Sequence, residues 1–353
     1  MMINCLIKKI LVVNFGGMGD FLLSYPSLIA LQKRYPQSKI NLLVSKKALE
    51  AAQRLSFVDK VFVLYPQSWW RLVFFGPRTF LVLRRERFDL AINMRSVVSR
   101  FSALKMRLLF RWINPKTTAG RNTENRAGFF DLKIFEDDYG QVYERDYDLK
   151  LVEMLDACPQ DKAIDFTITD LEVENVRQLL KEARIQEDDL LIGIHPGGAL
   201  PRRWPLVNYR IFLESLCADK RLKFVITGNQ EETRLAEELA QGLNDRVLNL
   251  AGKLNLGELA ALIQRCQLYV TNDTGSMHLA AVLQRPLLVI FGGAALKHFD
   301  PRIINPQSRV LYKKISCAPC NFKFCHSKKC LKLIVPEEVI QAAKEILFKA
   351  GQR

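Results

Sequence analysis

The sequence predicts an α/β protein built from two doubly wound parallel sheets. Apolar stretches typical of buried strands alternate with helical patterns in both halves, beginning at residues 8–15 and again at residues 190–198. The chain has 353 residues, enough for two domains of ordinary size. Hydrophobic residues make up 49% of it and charged residues 25%, which excludes a disordered, fibrous or coiled-coil protein.

The first half begins with a strand that runs into a glycine-rich turn and a helix. Residues 8–15 (KKILVVNF) are typical of a buried strand, and residues 16–20 (GGMGD) of a tight turn. In residues 21–35 (FLLSYPSLIALQKRY) the apolar positions recur at helical spacing. Two further strands are predicted at residues 39–45 and within residues 87–94.

The second half repeats this alternation from residues 190–198 (LLIGIHPGG) onward. Its further strands are KFVITGN (223–229), VLNLAG (247–252), QLYVTND (267–273) and PLLVIFGG (286–293), separated by helical patterns such as 231–243 and 256–266. The acidic stretch at 150–189 has no strong strand, so the domain boundary is predicted there. Ligands of such sheets bind at the carboxyl ends of the strands, which predicts a binding cleft between the domains.

The charge balance favours an anionic partner, since 52 Lys and Arg against 37 Asp and Glu give a net charge of +15. A spanning helix is not expected, because Asp20 and Arg285 interrupt the first and last apolar regions before about 18 residues are reached. The start MMINCLIKKILVV has its charges after the apolar stretch and is unlike a signal peptide. We therefore expect a cytosolic protein.

The turn after the first predicted strand contains the first candidate site residues, Gly17, Gly19 and Asp20. A strand that runs into a glycine turn and a helix brings a ligand close to unpaired N–H groups. Nicotinamide binding is disfavoured, because Leu22 stands where a third glycine would be and residues 45–47 lack the required acid. Asp20 at the helix start is either an N-cap or a general base.

A loop in the second half carries residues suited to a diphosphate. In residues 194–205 (IHPGGALPRRWP) a strand ends at His195, and a glycine loop leads to Arg202 and Arg203. Paired guanidinium donors match phosphate oxygens well. Two adjacent arginines in a solvated loop are the alternative interpretation.

A second such loop follows the strand predicted at residues 267–273. Asp273 or Thr274 is expected to cap the next helix, whose first turn contains Gly275, Ser276 and His278. Small residues at a helix N-terminus leave N–H groups for an anion. An ordinary cap has the same pattern, and a lone histidine there is more often structural.

Residues 69–121 are both basic and aromatic. They contain 12 Lys or Arg and two acidic residues, and so supply +10 of the net charge of +15. Such a segment suits an anionic membrane surface, while a solvated helix face and nucleic acid are the alternatives. Its aromatic residues include Trp69, Trp70, Phe74, Phe75, Phe80 and Trp112.

A cysteine cluster with His326 inside it has the spacing of a zinc knuckle. Its members are Cys317, Cys320, Cys325 and Cys330. Residues 309–334 hold seven basic residues and no acidic one, so a nucleic-acid-binding protein with a four-cysteine zinc knuckle is the alternative function. The cluster lies between a predicted strand and a predicted helix, whereas knuckles occur in flexible chains. Structural zinc is therefore possible but not favoured over reduced or partly disulfide-linked thiols.

Four longer strings follow one another along almost the whole chain. They are ILVVNFGGMGDFLLSYPSLIALQKRYP, IGIHPGGALPRRWP, NLAGKLNLGELAALIQRCQLYVTNDTGSMHLAAVLQRP and CAPCNFKFCHSKKCLKLIVPEEV. In these strings the chain resembles the lipopolysaccharide heptosyltransferases, glycosyltransferase family 9. The resemblance implies a GT-B fold, in which two Rossmann-like domains face each other across a cleft.

The resemblance also implies an activity, the inverting, metal-independent transfer of heptose from ADP-heptose to the inner core of lipopolysaccharide. Residues 1–165 would bind the acceptor, residues 185–335 would bind the nucleotide sugar, and 336–353 would form a C-terminal helix. No cofactor is required. The partners would be the donor and an anionic glycolipid, the lipid A core, at the cytoplasmic face of the inner membrane, and not nucleic acid. A GT-B transferase that uses another nucleotide sugar is the alternative within the fold.

The site residues implied by the resemblance fall into three groups. Asp20 is the base, and Gly17, Gly19 and Arg95 lie on the acceptor side. The donor would be bound by His195, Gly197, Arg202, Arg203, Asp273, Thr274, Gly275, Ser276 and His278. The sequence departs from the family at three places. The family commonly has Lys where Arg202 stands and Pro where Ser276 stands, and relatives often carry Asp at the strand end formed by residues 93–95. A guanidinium neutralises phosphate as well as an ammonium does, so the proposed catalysis is unaffected, while a different geometry of the bound donor is compatible with these changes.

Overall fold

The computed structural model describes residues 7–64, 78–243, 246–320, 325 and 327–350. Its internal contacts divide the chain into two compact units, Met1–Ile164 and Asp165–Arg353, each built around one parallel sheet. Several residues singled out from the sequence lie outside the described ones. These are Trp69, Trp70, Phe74, Phe75 and His326.

The first unit contains a six-stranded parallel sheet in the order β3-β2-β1-β4-β5-β6. Its strands are β1 (Lys9–Asn14), β2 (Lys39–Ser45), β3 (Val58–Leu64), β4 (Leu90–Asn93), β5 (Thr117–Thr123) and β6 (Leu132–Glu136). β1 and β4 pair at the centre and are almost wholly buried, as expected for parallel strands covered on both faces.

The helix predicted at residues 21–35 is in fact two helices that meet at Ser24. Pro26 lies in the first turn of the second one and has no N–H to donate to the carbonyl of Leu22, so the helix restarts there. The helices of this unit are α1 (Met18–Leu23), α2 (Tyr25–Arg34), α3 (Leu49–Gln53), α4 (residues 78–85), α5 (Arg100–Ile113) and α6 (Glu144–Glu153).

The second unit contains another six-stranded parallel sheet, in the order β12-β11-β10-β7-β8-β9. Its strands are β7 (Leu190–His195), β8 (Leu222–Ile226), β9 (Val247–Asn249), β10 (Leu268–Asn272), β11 (Leu287–Phe291) and β12 (Arg309–Tyr312). The interior strands β7, β10 and β11 are buried and rich in Leu, Ile and Val, which is typical of a sheet covered on both faces.

The helices that cover this sheet are α7 (Asp170–Glu182), α8 (Leu206–Cys217), α9 (Thr233–Ala240), α10 (Leu256–Arg265), α11 (Gly275–Val282), α12 (Leu296–Phe299), α13 (Lys329–Lys332) and α14 (Pro336–Ala350). Short 3-10 turns occur at Lys46–Ala48, Leu200–Arg202, Gln230–Glu232 and Pro301–Ile303. In the part of the chain that the structure describes, no helix has both the length and the apolar character needed to cross a membrane.

The strand order reverses direction once in each sheet, between β1 and β4 in the first and between β7 and β10 in the second. At such a switch point the loops from the carboxyl ends of the two strands leave in opposite directions and open a crevice. Every candidate site residue outside the cysteine cluster either follows one of these four strands or, like His195, is the last residue of one. The prediction of two doubly wound α/β units is therefore confirmed.

Packing around β5 requires a glycine at position 120. A Cβ added to Gly120 would lie 2.4 Å from the ring of Phe130, which is itself fully buried in the core of the first unit. Overpacking of this kind costs about 1–3 kcal/mol in native cores, because neither the ring nor the strand can move freely. Gly128 is exposed and has open space where a Cβ would go, so it provides a matched control.

We therefore predict that Gly120→Ala lowers the free energy of unfolding by about 1–3 kcal/mol, whereas Gly128→Ala changes it by less than about 0.5 kcal/mol. Urea denaturation of the two variants beside the wild type measures both values. Equal effects of the two substitutions would contradict this description of the core.

Candidate active site

The carboxylate of Asp20 is held at the carboxyl end of β1 by the turn that precedes α1. Gly17 is the N-cap of α1, and its N–H donates to Asp20 Oδ2 at 2.8 Å. Gly16 donates its N–H to Asn14 Oδ1 at 2.9 Å, and a Cβ on Gly16 would lie 2.6 Å from the Asp20 Cβ. The turn therefore requires glycine where the chain passes Asp20. Asp20 is therefore not the N-cap that the sequence offered as one alternative: it occupies the third position of α1 and accepts the N–H of the N-cap residue with only one of its two oxygens.

The second oxygen of Asp20 faces Arg95, which follows β4. Arg95 Nη1 lies 3.2 Å from Asp20 Oδ1 and 2.5 Å from Glu144 Oε1, at the start of α6. Asp20 and Arg95 are both partly exposed, whereas Glu144 is fully buried. Burial acts against the charged guanidinium, but Asp20 and Glu144 outweigh it and raise the pKa of Arg95 above its ordinary value. Arg95 is thus a permanent cation shared between two carboxylates.

Glu144 is held in turn by Arg121, a residue of β5 with no exposed side-chain surface. Arg121 Nη1 lies 2.8 Å from Glu144 Oε1, and its Nη2 lies 2.5 Å from Glu136 Oε1 on β6. The guanidinium carbon also lies 4.5 Å from the centre of the Tyr147 ring. The pKa of Arg121 is raised, because the surrounding carboxylates outweigh the effect of burial.

Asp148 completes this buried network one helical turn after Glu144. Its Oδ1 lies 3.5 Å from Arg121 Nη1, and its Oδ2 accepts a hydrogen bond from Ser24 Oγ at 2.5 Å. Ser24 also accepts from Asn14 Nδ2 at 3.0 Å, so the network reaches back to the end of β1. Burial and the nearby charge of Glu144 raise the pKa of Asp148 to about 7. We refer to Arg121, Glu136, Glu144 and Asp148 as the buried ion network, which the partly exposed Arg95 connects to Asp20.

In the second unit, the loop after β7 closes around a carboxylate that the sequence did not single out, Glu232. Gly198 donates its N–H to Glu232 Oε1 at 2.6 Å, and a Cβ on Gly197 would lie 2.2 Å from the same oxygen. Gly198 has a φ of +110°, a conformation that favours glycine. Arg203 donates from Nε to the Gly198 carbonyl at 2.6 Å, and its Nη2 lies 3.3 Å from Glu232 Oε1.

His195 at the end of β7 contacts the same carboxylate. Its Nε2 lies 3.7 Å from Glu232 Oε2, and its Nδ1 lies 3.1 Å from Thr227 Oγ1. Burial lowers the pKa of His195, with Glu232 acting against this shift and Arg203 reinforcing it. The imidazole is therefore neutral at physiological pH and can act as one donor and one acceptor.

Arg202 and Asp273 form an ion pair that joins the loop after β7 to the loop after β10. Arg202 Nη1 lies 2.9 Å from Asp273 Oδ2, and the exposed fractions of their side chains are 36% and 3%. Asn272 links the same loops, because its Nδ2 donates to the carbonyls of Pro196 and Gly197, each at 2.9 Å. Buried Asp273 thus holds one side of the Arg202 guanidinium, while the rest of the Arg202 side chain is partly exposed to solvent.

The start of α11 differs in detail from the expected cap. Thr274 occupies the N-cap, but its side chain accepts no N–H bond from the helix; its Oγ1 lies 2.8 Å from Ser276 Oγ. Gly275 and Ser276 form the first turn as expected. His278 is buried in this helix with its ring edge-on to Phe299, at 5.9 Å between centroids. Gly19 lies buried within α1.

The four clustered cysteines are free thiols in graded environments, with Cys317 exposed and Cys330 buried. Cys320 donates its N–H to the carbonyl of Gly293 at 2.6 Å, and its sulfur lies 2.8 Å from the position that a Gly293 Cβ would take. Burial raises the pKa of Cys330, which retains it as a thiol. Within the described ranges, which omit His326, no group of three or more His, Cys, Asp or Glu side chains could hold a metal ion.

Comparison with known proteins gives a family match. The model of glycosyltransferase family 9 (heptosyltransferase) matches residues 78–331. Lipooligosaccharide heptosyltransferase 2 of Haemophilus ducreyi is 25% identical over 96% of this chain and 99% of that protein. Lipopolysaccharide heptosyltransferase 2 of Escherichia coli K12 is 27% identical over 86% of this chain and 87% of its own length.

A solved structure has the same fold. The E. coli ADP-heptose lipopolysaccharide heptosyltransferase II superposes with a TM-score of 0.73 at 22% identity, over 97% of this chain and 99% of that one. The two Rossmann-like units of a GT-B protein, which the sequence resemblance implied, are thereby confirmed.

The raised pKa of Asp148 predicts a distinct dependence of stability on pH. Between about pH 4 and pH 7 the folded protein keeps a proton on Asp148 that the unfolded chain releases, so this residue lowers the free energy of unfolding as pH rises. Asp148→Asn removes that proton equilibrium. The free energy of unfolding of the wild type minus that of this variant should therefore decrease from about pH 4 to about pH 7 and stay constant above that range.

Urea denaturation at several pH values measures the difference, with Glu153→Gln as the control for removing an exposed carboxylate from the same helix. Parallel stability curves for the wild type and Asp148→Asn would show that Asp148 is ionised in the folded protein throughout this range.

Proposed function

The chain belongs to glycosyltransferase family 9, the heptosyltransferases, and on that premise we propose that it transfers heptose from ADP-heptose to the inner core of lipopolysaccharide. The proposal rests on one observation above all, the carboxylate of Asp20, partly exposed at the switch point of the first sheet with one oxygen beside Arg95. The names of the relatives, which specify heptose, ADP-heptose and lipopolysaccharide, support the choice of substrates.

We assign Asp20 the role of general base in the first, acceptor-binding unit. Its Oδ1 would take the proton from an acceptor hydroxyl, while the oxygen of that hydroxyl attacks the anomeric carbon of the donor. The bond from this carbon to the diphosphate breaks on the opposite side, ADP leaves with the electron pair, and the configuration inverts. Arg95 would orient Asp20. Because Arg95 also pairs with Glu144, its positive charge is shared between two carboxylates and neutralises Asp20 only in part.

We assign the donor diphosphate to the second unit, at the loops after β7 and β10. Arg202 and Arg203 would bind its oxygens, and the N–H groups of Gly275 and Ser276 with the dipole of α11 would face the charge that develops as ADP leaves. Asp273 holds Arg202 by its buried side, and Glu232 holds Arg203 and His195, so these residues position the donor-binding groups. Fixed positive groups of the protein would in this way take the place of a divalent cation.

The acceptor in this proposal is an anionic glycolipid in the inner membrane. We therefore infer that the protein works as a peripheral protein at the cytoplasmic face of that membrane, with no nucleic acid among its partners. The net charge of +15 supports attraction to such a surface.

Asp20→Asn should abolish transfer and leave the affinity for ADP within a few-fold of the wild type. The amide oxygen of asparagine can still accept the N–H of Gly17, so the turn is retained, but the amide cannot take up a proton. Isothermal titration with ADP, beside an assay of heptose transfer, measures both quantities. Turnover near the wild-type rate would leave Asp20 only its structural role at the start of α1.

Arg202→Ala and Asp273→Ala should each weaken ADP binding, by about 10- to 100-fold for Arg202, since hydrogen bonds to charged groups contribute about 1.5–3 kcal/mol. Arg221→Ala and Asp219→Ala remove an exposed ion pair of the same unit and provide the matched controls. Chelators should leave the transfer rate unchanged. A strict requirement for magnesium, or unaltered ADP affinity in both site variants, would contradict the proposed donor site.

A further inference from the structure

Helix α5 of the first unit has an apolar stripe on its exposed side. Successive residues of an α-helix turn by about 100°, so Phe101, Leu104, Leu108 and Trp112 fall within one stripe about 80° wide. All four are exposed, Phe101 by 66% and Trp112 by 49%. A regular row of large apolar side chains facing solvent is not ordinary surface, and marks a place where something binds.

This stripe is separate from the face by which α5 packs into its own unit. The buried residues of α5 are Ala103, Leu109, Phe110 and Ile113, which face the core on the opposite side of the helix. Since packing within the unit uses that face, it does not account for the exposed row. The helix therefore has two apolar faces, and the exposed one is not part of the core in the part of the chain that the structure describes.

Basic residues line both edges of the stripe. Arg100, Arg107 and Arg111 follow one edge and Lys105 the other, and all four are exposed. The ammonium of Lys105 lies 4.2 Å from the centre of the Phe101 ring, so the charged and apolar groups form one continuous surface. A basic edge on either side of an apolar row is the pattern of a helix that lies in the interface of an anionic bilayer.

Helix α4 extends this surface. Its Leu81 and Val82 are exposed, and Arg84 donates from Nη1 to the Trp112 carbonyl at 2.7 Å, with its guanidinium 5.8 Å from the Trp112 ring. Arg85 on the same helix is exposed as well. We call the exposed residues of α4 and of the α5 stripe with its basic edges the α4–α5 surface.

The two acidic residues of the same segment pair with lysines and not with these arginines, as far as the described residues show. Residues 69–121 contain only Glu86 and Asp89 as acids. Glu86 pairs with Lys9 at 2.7 Å and Lys60 at 2.6 Å, and Asp89 pairs with Lys116 at 2.7 Å. The positive charge of the α4–α5 surface is therefore available to an external anionic partner.

We propose that the α4–α5 surface docks the protein onto an anionic lipid bilayer, with the stripe in the outer part of the acyl layer and the arginines among the lipid phosphates. A second copy of the chain fits less well, because a two-fold contact would bring unneutralised basic residues against their own copies. Nucleic acid would satisfy the charges but leave the row of Phe101, Leu104 and Leu108 uncovered. At about 21 Å long, α5 lies along the surface and does not span it.

This inference deepens the proposed glycolipid acceptor, but its test needs no acceptor, donor or turnover. The measurement is binding to vesicles of phosphatidylglycerol with phosphatidylcholine, and to vesicles of phosphatidylcholine alone. The first variant combines Phe101→Gln, Leu104→Gln and Leu108→Gln. Its control combines Phe135→Gln, Leu171→Gln and Phe348→Gln, three exposed apolar residues elsewhere on the chain.

The second variant tests the charges with Arg100→Gln, Arg107→Gln and Arg111→Gln. Its control, Lys33→Gln, Arg34→Gln and Lys150→Gln, removes the same charge from exposed positions of the same unit. All substituted side chains are exposed, and at every position except Phe135 of β6 they lie on helices, where glutamine is a good helix former. Thermal unfolding should therefore be close to the wild type in every variant.

The wild type and both controls should bind the anionic vesicles, and each stripe or charge variant should bind them at least about ten-fold more weakly. The effect of the charge variant should fade from about 0.1 M to about 1 M salt, where the screening length falls from about 10 to 3 Å.

The inference is overturned if the variants and their controls bind equally, or if the wild type ignores anionic vesicles. It is also overturned if the wild type instead binds an oligonucleotide or forms a dimer that the stripe substitutions dissociate. Transfer to a soluble, delipidated acceptor separates the two proposals. If vesicle binding fails but this transfer persists, only the docking surface is wrong.

Discussion

A buried guanidinium at Arg121 constrains the carboxyl ends of β4, β5 and β6 and the start of α6. A charge without solvent is tolerated only when carboxylates surround it, and removing one partner from such a pair typically costs about 3–5 kcal/mol. Arg121 meets this requirement with Glu136 from β6 and with Glu144 and Asp148 from α6. The end of β6 and the first turns of α6 are thereby fixed against β5. The same Glu144 then holds Arg95, and Arg95 holds Asp20, so the proposed base is positioned by the ion network that the fold needs for its own stability.

The two units share a topology but present different charged groups at their switch points. In the second unit the carboxylate of Asp273 is almost fully buried and its partner Arg202 points partly outward, so the ion pair presents a cation. In the first unit Asp20 and Arg95 are equally exposed, and the carboxylate is accessible beside the cation. A cationic site suits an anionic leaving group, and an accessible carboxylate suits removal of a proton from a hydroxyl. This contrast supports assigning the donor to one unit and the acceptor to the other.

The sequence predicted the parts of the structure that depend on local pattern. The strands β1, β2, β7, β10 and β11 are apolar runs, and the glycines beside Asp20 and His195 mark tight loops. Each interpretation of Asp20 describes one of its two oxygens. Oδ2 accepts the N–H of Gly17 at the start of the helix, and Oδ1 lies beside Arg95 on a partly exposed side chain. The division of the predicted helix at Ser24 was missed, although Pro26 was the signal for it. β5 was missed because its sequence, TTAGRNT, is polar. The strand is buried between β4 and β6, where carboxylates pair with its Arg121.

Other contacts had no signal in the sequence because they join distant residues. Arg121, Glu136, Glu144 and Asp148 have no shared motif, and only the pairing of β5 with β6 and the packing of α6 bring them together. Glu232 is one of two adjacent glutamates, and nothing in the sequence distinguishes it from its exposed neighbour Glu231. The basic and aromatic character of residues 69–121 was visible, but the exposed stripe on α5 depends on which side of that helix the core occupies.

The central claim, that this chain adds heptose to the lipopolysaccharide core, is tested most directly by mass spectrometry of the glycolipid from cells that lack the gene. We expect a core truncated by at least one heptose together with the sugars that follow it, and a core restored to full length when the gene is returned. An intact core in the deleted cells would contradict the assignment to lipopolysaccharide.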